Sequence, residues 1–188
     1  MKQICVIPPK LDFTFEEFFK SDYAKQLDVS NVTSDPKILN NIMTTICCLL
    51  QPIRSLCNLY TIDVTGTPDP KRNYSLVRRF KADTAGIIIT GGYRSQALIA
   101  ACKNKLGVVM SKTGHPDGQC ADIKRTPWSN LMLFCVLKAL HKEGLISVDQ
   151  LIYEYDTNCC HVGYKATGNR EQVLIRKNIN GNLVYGSV

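Results

Sequence analysis

His115, Asp122 and His161 are the residues of this chain whose types and spacing could do metal chemistry. His115 lies in Thr113-Gly114-His115-Pro116-Asp117-Gly118-Gln119-Cys120-Ala121-Asp122-Ile123, a turn with glycine on both sides and with Asp122 seven residues after the histidine. A neutral imidazole and a carboxylate suit a tetrahedral Zn²⁺ site, in which a third protein ligand and a water complete the shell. His161, beside the β-branched Val162, could supply that third ligand from a strand. The same spacing also suits a histidine and an aspartate that merely hydrogen-bond to the backbone of one loop, and spacing alone leaves both readings open. His141, next to Lys142 near the end of an amphipathic helix, reads as a surface histidine.

The elements that must position these residues are legible from periodicity and caps. Phe13 to Leu27 has acidic and aromatic residues at helical spacing, and Thr14 with Glu17 forms a capping-box pattern. Asp35-Pro36 opens a second helix through Ile38, Ile42, Ile46, Leu49 and Leu50 towards Leu56, with Pro52 an expected kink. Residues 60–84, with Thr65-Gly66-Thr67-Pro68-Asp69-Pro70, read as an inserted loop or hairpin. A buried strand is expected at Gly86-Ile87-Ile88-Ile89-Thr90, a helix from Ser95 to Lys105, and an amphipathic helix from Ser129 to Glu143 closed by Gly144. Three strands follow, at Leu151 to Tyr155, His161 to Tyr164 and Gln172 to Arg176. Asn180-Gly181 then signals a hairpin to Leu183-Val184-Tyr185. This order predicts one α+β domain over residues 1–188, with N-terminal helices packed on a small antiparallel sheet.

Five segments in order resemble zinc D-Ala-D-Ala carboxypeptidases and related phage endolysin peptidases. Gly92-Tyr93-Arg94-Ser95 is similar to that family's S-G-Y-R-S segment, and His115-x-x-Gly118-x-x-Ala121-Asp122-Ile123 to its H-x-x-G-x-A-x-D-I signature. Asp149-Gln150-Leu151-Ile152-Tyr153-Glu154, His161-Val162-Gly163-Tyr164 and Asn169-Arg170-Glu171-Gln172-Val173-Leu174 resemble its D-Q-L-I-x-E, H-V-S-Y and N-R-x-Q-V-L segments. The resemblance implies a hedgehog/DD-peptidase fold and one zinc ion held by His115, Asp122 and His161. It implies that Arg94 meets substrate carbonyl or carboxylate charge, with Tyr93, Ser95 and Thr113 as further substrate contacts. The implied activity is hydrolysis of peptidoglycan stem peptides, of D-Ala-D-Ala or L-Ala-D-Glu type, by an endolysin or virion-associated lysin.

Three departures from the pattern bear on catalysis. Many relatives carry an acid three residues before the last histidine, where this chain has Asn158, whose amide cannot serve as a general base. Glu154 at a strand end is the preferred substitute, ahead of Asp156 in the following loop. Gly163 replaces a serine, and Cys120 takes a small-residue position beside the ligand loop. Cys159 shares the strand face of His161 and reads as packing rather than as a ligand. The alternative function is accordingly a zinc-binding relative that does not hydrolyse and serves as a virion or wall-binding protein.

Composition narrows the surroundings. A hydrophobic fraction of 45% and a charged fraction of 21% exclude whole-chain disorder. The formal net charge of +7 suits an anionic wall, and the basic pairs Arg78-Arg79 and Lys124-Arg125 are too dispersed to imply specific nucleic-acid binding. Nine cysteines without a C-x-x-C motif are expected to be mostly reduced and buried, as in a protein made in a host cytoplasm. The apolar stretch near Met1 is too short for a signal peptide, and the run Ile46 to Leu50 is too short to span a bilayer. A monomer without membrane insertion, reaching the bacterial wall by release or in a particle, is the expectation.

Overall fold

The computed structural model describes residues 11–82, 84–108, 110 and 114–188. Thr14 and Glu17 form the expected capping box at the start of α1 (Phe15–Phe19), each side chain accepting from the other's backbone N–H. The helix does not continue to Leu27. Lys20 is extended and Ser21 caps a separate α2 (Asp22–Leu27), its hydroxyl accepting from the Ala24 N–H. A serine in mid-pattern satisfies the backbone of a new first turn better than it continues the old one.

Asp35 caps α3 (Pro36–Thr45), which runs through a π-helical turn (Ile46–Leu50) into α4 (Gln51–Leu59). Pro52 has no N–H to offer the carbonyl four residues back, and Gln51 N–H reaches Ile46 O across the widened turn. The expected kink is thus taken up as a π turn, all five residues of which are buried. Counted as one helix, Pro36–Leu59 has 24 residues and is long and apolar enough to cross a membrane by length and composition. An uninterrupted apolar run underestimates such a segment, and here 50% of its apolar 18-residue stretch is buried inside the protein.

Segment 60–84 contains the antiparallel pair β1 (Tyr60–Ile62) and β2 (Leu76–Arg78). The buried Lys138 ties this segment to the helix α6 (Asn130–Lys142) by donating to the Pro70 carbonyl at 2.9 Å. The main sheet comprises β3 (Ile87–Gly91), β4 (Cys120–Arg125), β5 (Gln150–Glu154), β6 (Cys159–Gly163), β7 (Gln172–Ile179) and β8 (Asn182–Ser187). Their spatial order is β3-β4-β6-β5-β7-β8. Asn180 and Gly181, at φ 52° and 85°, make the β7–β8 turn that the Asn-Gly pair predicts.

The sheet is mixed rather than antiparallel. β6 folds back on β5, and the chain then crosses the end of β5 so that β7 lies on its other side, parallel to it. Side chains alternate across the strands. Ala121, Ile123, Leu151, Tyr153, Cys160 and Val162 pack with Leu133, Phe134 and Leu137 of α6 and with the π turn in one core. The register places Cys120, Asp122, Ile152, Glu154, Cys159 and His161 together on the opposite face. Seven described cysteines are free and buried, while Cys48 is disulfide-bonded.

One buried side chain joins the helical entry to the segment that feeds the site. Asn31 Nδ2 donates to the carbonyls of Phe19 and Tyr93, both at 2.8 Å, and its Oδ1 accepts from Ser95 N–H at 2.8 Å. Ser95 in turn caps α5 (Gln96–Leu106). Asn31→Ala is expected to lower unfolding free energy by about 2–4 kcal/mol, because it leaves buried backbone groups without partners. Urea denaturation against wild type checks this.

Candidate metal centre

The centre is assembled by the pairing of β4 with β6, in which Asp122 and His161 are directly opposite. Their side chains share a face, and His161 Nδ1 meets Asp122 Oδ1 at 3.0 Å. His115 comes from the turn before β4 and brings Nε2 to within 3.4 Å of the same oxygen. Its other nitrogen, Nδ1, lies 2.5 Å from the Gly92 carbonyl. A carbonyl only accepts, so that nitrogen carries the proton and Nε2 is aimed at the centre. The two rings meet edge to face with centroids 5.0 Å apart.

Two glycines let the β3 end approach this cluster. A Cβ on Gly91 would stand 2.8 Å from Asp122 Oδ2, and one on Gly92 would stand 2.5 Å from the Phe18 carbonyl oxygen. The register of β3 on β4 shifts between Ile89 and Gly91, which sets Gly91 against Asp122.

Cys120, two residues before Asp122 on β4, completes the group. The donor atoms of His115, Cys120 and His161 all lie within 4.8 Å of one another, and all three residues are buried. This is a cluster that can hold a metal ion. Asp122 adjoins the group through its contacts with both histidines.

The electrostatics are those of mutual pairing. Burial pushes the Asp122 carboxyl up, but the adjoining His115 and His161 imidazoliums outweigh it and hold the group well below the usual carboxylate range. Burial pushes the histidines down, while Cys120 and Asp122 raise His115 to about 9 and His161 to about 10. Burial likewise opposes ionisation of Cys120, and the two imidazoliums bring its thiol down to about 6. His161 Nε2 is buried without a hydrogen-bond partner among the described residues.

The centre forms part of the wall of a cleft of ≈ 270 Å³, lined in part by His115, Asp122, Arg94, Tyr93 and Glu154. Arg94 Nη2 binds Asp122 Oδ2 at 2.8 Å, so its guanidinium is fastened to the cluster. Tyr93 is buried, its ring edge-on to Phe19 at 5.9 Å. Ser95 stands outside the cleft lining, with its hydroxyl accepting from Leu98 N–H and donating to the Ser30 carbonyl. The Ser95 hydroxyl thus caps α5 in this structure. Thr113 lies outside the described residues.

Glu154 reaches the cleft, with Oε2 2.7 Å from Arg176 Nη2 and accepting from the Thr157 hydroxyl at 2.8 Å. Asp156 accepts from the Asn178 N–H at 2.5 Å and does not line the cleft. Asn158 has φ 43°, accepts through its side chain from the Tyr153 hydroxyl, and accepts from Asn130 through its carbonyl. Burial, with Asp122 and Glu154 nearby, pushes the Cys159 thiol far up. His141 Nδ1 faces the Ile146 carbonyl at 3.2 Å at the end of α6, away from the cluster.

Cys120 is outside the ligand set read from the sequence because it reads there as a small-residue position beside the ligand loop. The available signal was alternation: Ala121 and Ile123 are apolar, while Cys120 and Asp122 fall on the other face. Fold and centre together define an α+β protein with a buried, metal-competent His-Cys-His group beside a surface cleft. No family model matches the chain, and neither a curated protein nor a solved structure matches it.

The pairing has a definite pH signature in metal-free protein. The imidazoles at about 9 and about 10 stabilise the fold fully below about pH 6.5, the ordinary histidine value, and that stability is lost as pH rises through 9 and 10. Cys120, lowered from 9.0 to about 6, acts in the opposite sense, with stability present above its unfolded value and lost as pH falls through about 6. Two imidazoles outnumber one thiol, so the net trend over this range is a loss of stability with rising pH. Asp122 adds stability that is lost in acid, as its depressed carboxyl protonates. Thermal midpoints of chelator-treated protein are therefore expected to be highest at mildly acidic pH and to fall towards about pH 9.

Proposed function

We propose that the chain is a mononuclear zinc peptidase of hedgehog/DD-peptidase type that hydrolyses peptidoglycan stem peptides, with His115, Asp122 and His161 as ligands. The observation that carries the metal reading is the convergence of two imidazole nitrogens on Asp122 Oδ1, at 3.4 and 3.0 Å. Donors each 2.0–2.1 Å from a tetrahedral zinc lie about 3.3–3.4 Å apart, so the two contacts to Asp122 are already close to edges of such a shell. Imidazole nitrogens with a carboxylate and a neighbouring thiol favour zinc over oxygen-loving magnesium or calcium. The ordered motif resemblance supports the peptidase class and the wall substrate.

A bound zinc ion supplies Lewis acidity and brings the ionisation of water towards neutral pH. The protein's own groups do the rest. Gly92 fixes the His115 tautomer through its carbonyl, and Arg94 orients Asp122 while bringing positive charge to the cleft wall. A planar guanidinium there suits a peptide carbonyl or terminal carboxylate. In this reading Glu154, which lines the cleft where Asp156 does not, would take a proton from water and return it to the leaving amine.

A second reading, a zinc-binding relative that does not hydrolyse, is favoured by one observation. Glu154 Oε2 is held by both Arg176 and Thr157. Elemental analysis is expected to find one zinc per chain in wild type and none in His115→Ala. Glu154→Gln is expected to keep zinc and lower the rate of muropeptide release from purified peptidoglycan by about 10²-fold or more, read by mass spectrometry. Zinc bound with no muropeptide released by wild type would establish the second reading, and a wild type without zinc would sink both.

A further inference from the structure

We propose that Cys120 is a fourth protein donor to the metal, closing the shell that His115, Asp122 and His161 begin. The inference rests on the reading of this centre as a metal site and concerns a residue outside the ligand set proposed above.

Three observations carry it. The Cys120 donor atom lies within 4.8 Å of those of both histidines. In a tetrahedral zinc shell a sulfur at about 2.3 Å and a nitrogen at about 2.0–2.1 Å stand about 3.5 Å apart, so a small approach of the thiol suffices. On β4, Cys120 and Asp122 are two residues apart and project to one face.

The second observation is what surrounds the thiol. Cys120 is 1% exposed, yet it belongs to neither hydrophobic cluster, in contrast to the equally buried Cys57, Cys102 and Cys160. A cysteine kept for apolar packing belongs among apolar side chains. Cys120 is instead grouped with two imidazoles.

The third is where Cys120 sits relative to the cleft. Cys120 is paired across β4–β6 with Gly163, and a Cβ at that glycine would lie 3.5 Å from Cys120 Cβ. A Cβ at Gly114 would lie 3.6 Å from Cys120 Sγ. Cys120 also lines a separate hollow with Gly114, Gln119 and Gly163, and is absent from the lining of the cleft that holds Arg94 and Glu154. The thiol therefore approaches the centre from behind the cleft.

Coordination by Cys120 costs the thiol its proton, released to solvent, and leaves a single neutral imidazole donor on each histidine. Four protein donors are the coordination of a structural site, whereas hydrolytic sites keep an open position. Turnover by the peptidase proposed above then requires the thiol to leave or the shell to expand.

Cobalt substitution tests this without relying on activity. Wild type loaded with Co²⁺ is expected to show a thiolate-to-metal charge-transfer band in the near ultraviolet together with visible ligand-field bands. Cys120→Ala and the near-isosteric Cys120→Ser are expected to lose the first and keep the second, with zinc affinity lowered about tenfold or more. Cys159→Ala, which removes the other thiol near Asp122, is expected to keep both. Visible bands in wild type without the ultraviolet band, or a band that survives in both Cys120 variants, would overturn the proposal while leaving the metal site intact. Absence of peptidase activity with the band present would instead count against hydrolysis and uphold the thiol ligand.

Discussion

The Asp122 carboxylate stands almost enclosed, with one oxygen shared between two imidazoles and the other held by a guanidinium. A buried charge is tolerated only when its neighbours replace the water it has lost, and here every neighbour comes from a different part of the chain. His161 comes from the paired strand β6, His115 from the turn before β4, and Arg94 from the segment after β3. The positions of these elements are mutually dependent. A one-residue slip of β4 on β6 would turn Asp122 away from His161 and into the apolar core.

The supports behind these groups are correspondingly strict. Gly91 leaves space for the carboxylate, and Gly92 passes close enough to Phe18 for its carbonyl to hold His115. Asn31 then fixes the same segment to the end of α1 and to the cap of α5. Rigidity at the ligands thus comes from buried backbone hydrogen bonds, while the opposite face of the sheet is secured by apolar contact with α6 and the π turn. The cleft side retains polar groups, chiefly the Glu154–Arg176 pair, whose charges need each other at such low exposure. The same face therefore combines this ion pair with a metal-competent cluster, and the coordination number at the cluster separates a structural from a hydrolytic role.

Much of the helical layer was legible because its signals are local. The Thr14–Glu17 box, the Asp35-Pro36 start and the Asn180-Gly181 turn each involve residues a few positions apart. The break at Ser21 and the π turn before Pro52 were legible only in part, because a continuing apolar pattern competes with a local backbone preference and the packing decides between them. The site was legible as a set of residue types: His115, Asp122 and His161 do converge, and Arg94 and Glu154 do reach the adjoining cleft.

Residue chemistry, cap positions and turn types belong to the chain because each depends on bonds or neighbours close along it. The parallel pairing of β7 with β5, the role of Asn31 and the entry of Cys120 into the cluster depend on contacts across long sequence separations. Cys120 and Ser95 illustrate the division. Cys120 reads in sequence as a small-residue position and Ser95 as the start of a helix, and the fold makes one a neighbour of two imidazoles and the other a cap that also binds the Ser30 carbonyl. Strand register and close backbone approach set those outcomes, and both are fixed by the burial of groups that no short stretch of sequence contains.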